Sequence, residues 1–346
     1  MKRHLSLFLA AGTALLIAGC KPAGDSSSNG SSSAASSTTK APKIVFVSNG
    51  VDPFWVICQA GVEQAGRDFG VNATMIMPSE GLSDQKRILE DLITKGTDGI
   101  AVSPIDPANQ TDILDLVAER SKLVTADSDA PDSQRLVYIG MSNYEAGRMA
   151  AQLMKEALPN GGKVMVFVGR LEQDNARLRR QGFIDELVGR EPDEKRFDPP
   201  TAQPSGNGFT VLGTLTDQFD RAKAKAKAED TLSKHPDLAG AVGLFAYNPP
   251  AILEALKQAG KAGQVKVIGF DEDKATLKGI QDDIVHGTVV QNPYEYGYKS
   301  VQILKDVLAG DLSVIPENKY IEVPARKIRK ETVDEFWAQL KQRLGE

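Results

Sequence analysis

Residues 43–70 read KIVFVSNGVDPFWVICQAGVEQAGRDFG. The opening run KIVFVS (43–48) is short and rich in β-branched residues, the composition of a strand. Residues 54–69 carry apolar side chains at helical spacing and stop at Gly70, the residue type that closes a helix in left-handed backbone. A strand leading into a helix is one βα unit, and the unit repeats outward along the chain. ATMIM (73–77), GIAVS (99–103), KLVTAD (122–127) and LVYIG (136–140) follow, with amphipathic stretches at 84–95, which ends at Gly96, and at 110–120 between them. The pattern then restarts with KVMVFVG (163–169), VLGTLT (211–216), AVGLFAY (241–247), VKVIGF (265–270) and GTVVQ (287–291). The alternation predicts an α/β protein of two doubly wound parallel-sheet (Rossmann-like) lobes. The stretch 191–207, with Pro192, Pro199, Pro200 and Pro204, reads as a surface excursion because alternation resumes after it. A last strand, YIEV from Tyr320, leads to a helix near 331–343, expected as a clasp over one lobe.

Composition agrees with two lobes and removes several function classes. A chain of 346 residues exceeds what one hydrophobic core serves. With 41% apolar and 25% charged residues it is no polytopic membrane protein, disordered chain or coiled coil. Forty-one basic against 46 acidic residues leave no positive excess to neutralise phosphates, so nucleic acid is not an expected partner. Two cysteines, Cys20 and Cys58, and three histidines do not cluster at metal-ligand spacing, so neither a metal site nor a disulfide framework is expected. No cofactor is expected either: Gly161-Gly162-Lys163 lacks the spacing before it and the Ser or Thr after it that a phosphate-binding loop requires. Cys58, without a partner, reads as a small buried apolar residue on the first helix, with a reactive thiol as the lesser alternative.

The N-terminus sets an expected compartment. Lys2 and Arg3 precede an uncharged stretch, Leu5 to Gly19, of the kind found in secretory signals and too short to span a bilayer comfortably. The sequence Ile17-Ala18-Gly19-Cys20 resembles the lipobox of bacterial lipoproteins, which implies a signal peptide over 1–19 and lipidation of Cys20. Ten of the fifteen residues from Asp25 to Thr39 are Ser or Thr, so 20–42 is expected to be a lipidated tether rather than folded structure. Loss of Lys2 and Arg3 with the leader takes the net charge from −5 to −7. The expected location is exported, periplasmic or at the cell surface, held to the membrane by the lipid anchor.

In an open parallel sheet ligands bind beyond the carboxyl ends of the strands, and here those ends are polar. Ser48, Asp127, Asp271 and Gln291 end strands, Asn248 follows one, and Arg177 and Phe219 lie just beyond two others. Asp and Asn at a strand end also serve as helix caps or turn formers, which is an even alternative for any one of them. A neutral sugar needs carboxylates and amides for its hydroxyls and flat rings for its C–H faces. The carboxylates and amides are Asp127, Asp271, Asn248 and Gln291, with Arg177 as a forked donor and Phe54, Trp55 and Phe219 as plates. Phe54 and Trp55 taken singly suit packing at a helix start as well, although proline at position 53 favours a place beside the crevice.

These features resemble the type I periplasmic binding proteins, the ribose-binding ones in particular. The resemblance covers most of 43–325 and rests on VSNGVDPFW (47–55), ITKGTDGIAVSPID (93–106), IGMSNYEAGRMAA (139–151), NARLRRQGF (175–183), QFDRAKA (218–224), VIGFDED (267–273) and VVQNPYEYG (289–297). It implies sugar contacts at Ser48, Asp52, Phe54, Trp55, Asp127, Ser128, Arg177, Phe219, Asn248, Asp271 and Gln291. Asp52, Trp55 and Ser128 stand where ribose-binding proteins usually have Asn, Phe and Arg, so a hexose, polyol or cyclitol fits as well as a pentose. The family topology implies a three-strand hinge with crossings near 141–143, 291–293 and 319–321. The N-terminal lobe is then 43–142 plus 293–320, and the C-terminal lobe 143–292 plus 321–346.

The implied function is capture of a neutral monosaccharide or polyol by hinge closure and delivery, as a monomer, to the membrane permease of an ABC-type importer whose ATPase is a separate subunit. An alternative keeps the binding but presents a sugar or furanosyl signal to a chemoreceptor or sensor kinase. A glycoside-acting enzyme is a lesser alternative. The pairs Asp127/Asp129 and Asp271/Asp273 are two residues apart, which on a strand points them to opposite faces, and no nucleophile–histidine arrangement accompanies them.

Overall fold

The computed structural model describes residues 41–346; the expected signal peptide, Cys20 and nearly all of the expected tether lie outside the described residues. The chain runs β1 (Lys43–Val47), α1 (Pro53–Phe69), β2 (Asn72–Ile76), α2 (Leu82–Thr94), β3 (Gly99–Val102), α3 (Pro107–Arg120), β4 (Lys122–Ala126) and β5 (Tyr138–Gly140). It then crosses into α4 (Asn143–Ala157), β6 (Gly162–Val168), α5 (Asp174–Val188), β7 (Ser205–Gly206), β8 (Phe209–Thr216), α6 (Arg221–Lys234), β9 (Leu238–Gly243), α7 (Asn248–Gln258), β10 (Lys266–Phe270), α8 (Lys274–Gln281) and β11 (Gly287–Val290). It returns through α9 (Pro293–Leu308) and β12 (Tyr320–Glu322) and ends with β13 (Arg326–Arg329) and α10 (Val333–Leu344).

Two sheets result. The first has the order β12-β5-β4-β3-β1-β2 and is parallel throughout. The second has the order β13-β11-β10-β9-β6-β8-β7, with antiparallel edges at β13 and β7. Because successive side chains of a strand point to opposite faces, each sheet feeds two cores. Ile44 and Phe46 of β1 join one apolar cluster and Val45 and Val47 another; Met165 and Phe167 of β6 separate in the same way from Val164, Val166 and Val168.

α9 packs on the first sheet and α4 on the second, so the chain changes lobe just before each of these helices. The third crossing falls later than 319–321. Tyr320, Ile321 and Glu322 pair with Tyr138, Ile139 and Gly140, which keeps 321–322 with the first sheet and moves the crossing to the residues between Glu322 and Arg326. The open edge of β5 takes up the short strand before the chain can leave.

Each lobe contains a pair of helices in backbone contact through reciprocal glycines. A Cβ on Gly61 of α1 would stand 2.0 Å from the Tyr294 carbonyl oxygen of α9, and one on Gly297 of α9 2.3 Å from that of Cys58. In the second lobe a Cβ on Gly147 of α4 would stand 1.9 Å from the Arg179 oxygen of α5, and one on Gly182 of α5 2.0 Å from that of Tyr144. No side chain fits at any of the four. Cys58 is fully buried in this contact, and burial pushes its thiol pKa well up, away from reactivity.

The proline-rich excursion is pinned rather than loose. Buried Arg180 donates to the carbonyls of Asp198 at 2.7 Å and Pro199 at 3.2 Å, Arg196 meets buried Asp185 at 2.8 Å, and the segment ends in β7, which covers the outer edge of β8.

Candidate functional site

The carboxyl ends of both sheets face one cleft of about 590 Å³. Its polar depth is made by two aspartates in matching positions. Asp127 follows β4 and Asp271 follows β10, both in left-handed backbone with φ of 66° and 64°. Aspartate tolerates this conformation better than most residues, and it turns each carboxylate off the strand line into the cleft. The Asp127 N–H donates to the Ile139 carbonyl at 3.1 Å, and that of Asp271 to the Val289 carbonyl at 2.8 Å.

The two carboxylates differ in partners. Asp127 Oδ2 accepts from Ser103 Oγ at 2.9 Å and from Asn175 Nδ2, across from the other lobe, at 3.2 Å. Asp271 Oδ1 accepts from Gln291 Nε2 at 2.8 Å, and Gln291 Oε1 accepts from Tyr296 Oη at 3.1 Å. Burial pushes the Asp127 carboxyl up to about 6, against the pull of the Arg179 guanidinium and of its hydrogen bonds. Asp271 is raised as well, by burial first, with Arg179 and Gln291 opposing. Arg179 is fully buried, donates to the Leu244 carbonyl at 2.7 Å and Asn143 Oδ1 at 2.9 Å, and lies 4.1 Å from the Phe270 ring centre.

Aromatic walls come from both lobes. On the first, Phe54 and Trp55 meet edge to face at 4.9 Å, and Trp55 Nε1 donates to Asn49 Oδ1 at 3.1 Å. On the second, Phe219 and Phe245 meet at 5.4 Å, and Phe245 and Tyr247 lie 6.4 Å apart with their planes 5° from parallel. Buried Asp217 sets this second wall. It accepts the Phe219 N–H at 2.9 Å, Asn248 Nδ2 at 2.8 Å and the Tyr247 hydroxyl, while burial raises its carboxyl to about 6. At the rim, Asp52 Oδ1 caps α1 by accepting the Phe54 N–H at 3.1 Å, and its Oδ2 accepts from Arg221 of the opposite lobe at 2.9 Å. The Arg170 guanidinium lies 5.2 Å from the Phe219 ring centre.

Of the eleven residues expected to touch a ligand, Asp52, Phe54, Trp55, Asp127, Phe219, Asp271 and Gln291 line this cleft. Phe54 and Trp55 do so although both are buried, so their packing and cleft-lining roles coincide. The other four are not among its lining residues. Ser48 is buried and donates to the Gly50 carbonyl at 2.7 Å, holding the turn. Ser128 is fully buried beside Asp127. Asn248 is spent on Asp217 and on accepting the Phe245 N–H at 3.1 Å. Arg177 turns to Asp174 at 2.7 Å and to the Glu194 carbonyl of the excursion. The arginines at the cleft are instead Arg170 and Arg221.

Asn49, Arg170, Arg221, Phe245 and Tyr247 were not expected. Arg170 comes two residues after β6, and Phe245 and Tyr247 follow the end of β9 at Gly243, so the strand-end rule covers all three once AVGLFAY is split into strand and loop. Arg221 carries no such signal; the fold brings the start of α6 against Asp52. Among the described residues no group of three His, Cys, Asp or Glu is placed to hold a metal ion, and no helix is long and apolar enough to cross a membrane.

A family model for the periplasmic binding protein domain matches residues 44–312. The ribose import binding protein of Bacillus subtilis strain 168 is 28% identical over 266 residues, 76% of this chain and 80% of that protein. Among solved structures, an ABC transporter solute-binding protein of Burkholderia graminis in complex with D-arabinose is 28% identical with a TM-score of 0.76, covering 85% of this chain and 96% of that one. A glucose-galactose binding protein of Geobacillus stearothermophilus is 27% identical with a TM-score of 0.74, covering 84% and 98%.

Proposed function

Because the chain belongs to the periplasmic binding protein family, with sugar-binding solute-binding proteins as its relatives, we propose that it captures a neutral monosaccharide or related polyol in the cleft for an ABC-type importer. It does so as a lipoprotein anchored through Cys20, and it binds its ligand without turning it over. The observation that carries this reading is the convergence of Asp127, Asp271 and Gln291 with aromatic walls from both lobes on one cavity of about 590 Å³. Buried carboxylates accept hydrogen bonds from ligand hydroxyls in a medium where such bonds are strong, and flat rings cover the C–H faces.

The three crossings act as the hinge. A ligand held by groups of both lobes favours the closed arrangement by the contacts it makes only there. The membrane permease then reads the closed surface, and a separate ATPase drives release.

A thermal-shift panel of pentoses, hexoses, inositols and sugar acids tests the reading, since a ligand that binds only the folded state raises its melting temperature. At least one neutral polyhydroxy compound is expected to stabilise the protein and to be recovered chemically unchanged. A panel without any stabilising sugar, or conversion of the bound compound, overturns it.

A further inference from the structure

The last helix reaches both lobes. α10 follows β13 of the second sheet and packs on α8. Its inward side chains Val333, Phe336 and Leu340 are buried in a second-lobe core with Leu277, Ile280 and Ile328. Ile57 belongs to that same core and is 7% exposed, yet it sits on α1, whose Phe54, Trp55, Cys58 and Val62 fill the first lobe. Tyr294, in the first turn of α9, also packs there.

A polar contact adds to the apolar one. Arg343, in the last turn of α10, donates to Asn292 Oδ1 at 3.1 Å, and its guanidinium lies 5.5 Å from the Tyr294 ring centre. Asn292 stands in the second crossing, directly after Gln291, the partner of Asp271. Glu272, the next residue after Asp271, is 6% exposed with Oε2 lacking a hydrogen-bond partner. It borders a small void with Ile57, Gln291, Phe336 and Arg343, so the helix lies directly behind the floor of the cleft. The guanidiniums of Arg326 and Arg343 supply the favourable charge beside this buried carboxyl, whose pKa burial raises. The helix lies beyond the 44–312 covered by the family match.

We propose that α10 is a strap between the lobes, holding α1 and the second crossing in the arrangement in which Asn175 meets Asp127 and Arg221 meets Asp52. A contact made in one arrangement stabilises that arrangement by its own free energy. The strap therefore raises the closed fraction of the ligand-free protein and, in proportion, its apparent affinity. This rests on the hinge closure of the proposed function.

The test uses the full chain, small-angle X-ray scattering without ligand, and titration calorimetry with D-ribose and D-arabinose as probes. Leu340→Ala combined with Arg343→Ala is expected to enlarge the ligand-free radius of gyration. The affinity for whichever probe binds should weaken about tenfold, as for a tenfold smaller closed fraction, and saturating probe should restore the compact radius. An unchanged radius and affinity with only a lower melting temperature overturns the strap, leaving α10 as packing on its own lobe. Should the double variant unfold, Arg343→Ala alone decides, because its side chain is exposed and its loss removes the contacts to Asn292 and Tyr294 and the charge near Glu272 without opening the apolar core: an enlarged radius supports the strap and an unchanged one overturns it. If neither sugar binds the unsubstituted protein, that counts against the proposed ligand class, and the scattering comparison alone judges the strap.

Discussion

Asp127 and Asp271 present the same backbone device twice and use it differently. In each lobe a strand ends in a left-handed aspartate whose N–H goes to the neighbouring strand. In each, its carbonyl accepts a hydroxyl from that strand: Tyr138 Oη for Asp127 at 2.9 Å and Thr288 Oγ1 for Asp271 at 2.9 Å. The side chains then diverge. Asp127 is committed to Ser103 and to Asn175 across the cleft, whereas Asp271 has one donor, Gln291, and keeps more acceptor capacity open. Matching folds thus place two carboxylates alike, and the residues around them join one to the opposite lobe and leave the other, in the proposed function, freer for a ligand.

The sharpest way to break this contrast is Asp271→Ala. Loss of charge-assisted bonds to hydroxyls is expected to cost about 2–3 kcal/mol of sugar binding by calorimetry, with little loss of melting temperature because a buried, incompletely paired carboxylate leaves with it. Asp127→Ala is expected to cost less, about 1–2 kcal/mol of binding, and to enlarge the ligand-free radius of gyration by removing the Asn175 contact. Equal effects of the two on both readouts would abolish the distinction.

The arginines give a smaller effect of the same kind. Arg170→Ala is expected to weaken binding by about 1 kcal/mol, and Arg177→Ala by less than about 0.5 kcal/mol, as for a surface ion pair. The reverse order would return Arg177 to the cleft.

The smallest effect is that of pH. The folded carboxyl of Asp127, at about 6, lies above its ordinary 3.8, so the folded state holds this proton more tightly. That contribution to stability is present at low pH and is lost as pH rises from about 4 through about 6. Between pH 7.5 and 5 the ligand-free melting temperature should rise from this group, while sugar affinity falls by less than about tenfold as acceptors become protonated. An affinity that strengthens on acidification would show the ligand binding a protonated cleft.

The layout of the lobes was legible because short runs rich in Val and Ile, separated by amphipathic stretches, are local signals that a buried parallel sheet leaves in nearly every unit. The third crossing was not, since YIEV carries no mark saying which sheet edge it joins. At the cleft, Asp127, Asp271, Phe54 and Trp55 could be read because a strand end or a helix start fixes where they point. Arg177 could not: residues 170–180 hold Arg170, Arg177, Arg179 and Arg180, and which of them faces the cleft depends on the path of the loop between β6 and α5. Asn248 reads from the sequence as an amide for ligand hydroxyls, able to donate and accept, but Asp217, which engages it, is 31 residues away.

The reciprocal glycines of α1 with α9 and of α4 with α5 have a mechanical meaning. Backbones in direct contact leave no layer of side chains to shear, so in the proposed closure each half of the molecule would turn as a stiff lever. A few degrees of rotation in three short turns then reach the far lip of the cavity undiminished, where a docking partner would register them as displacement.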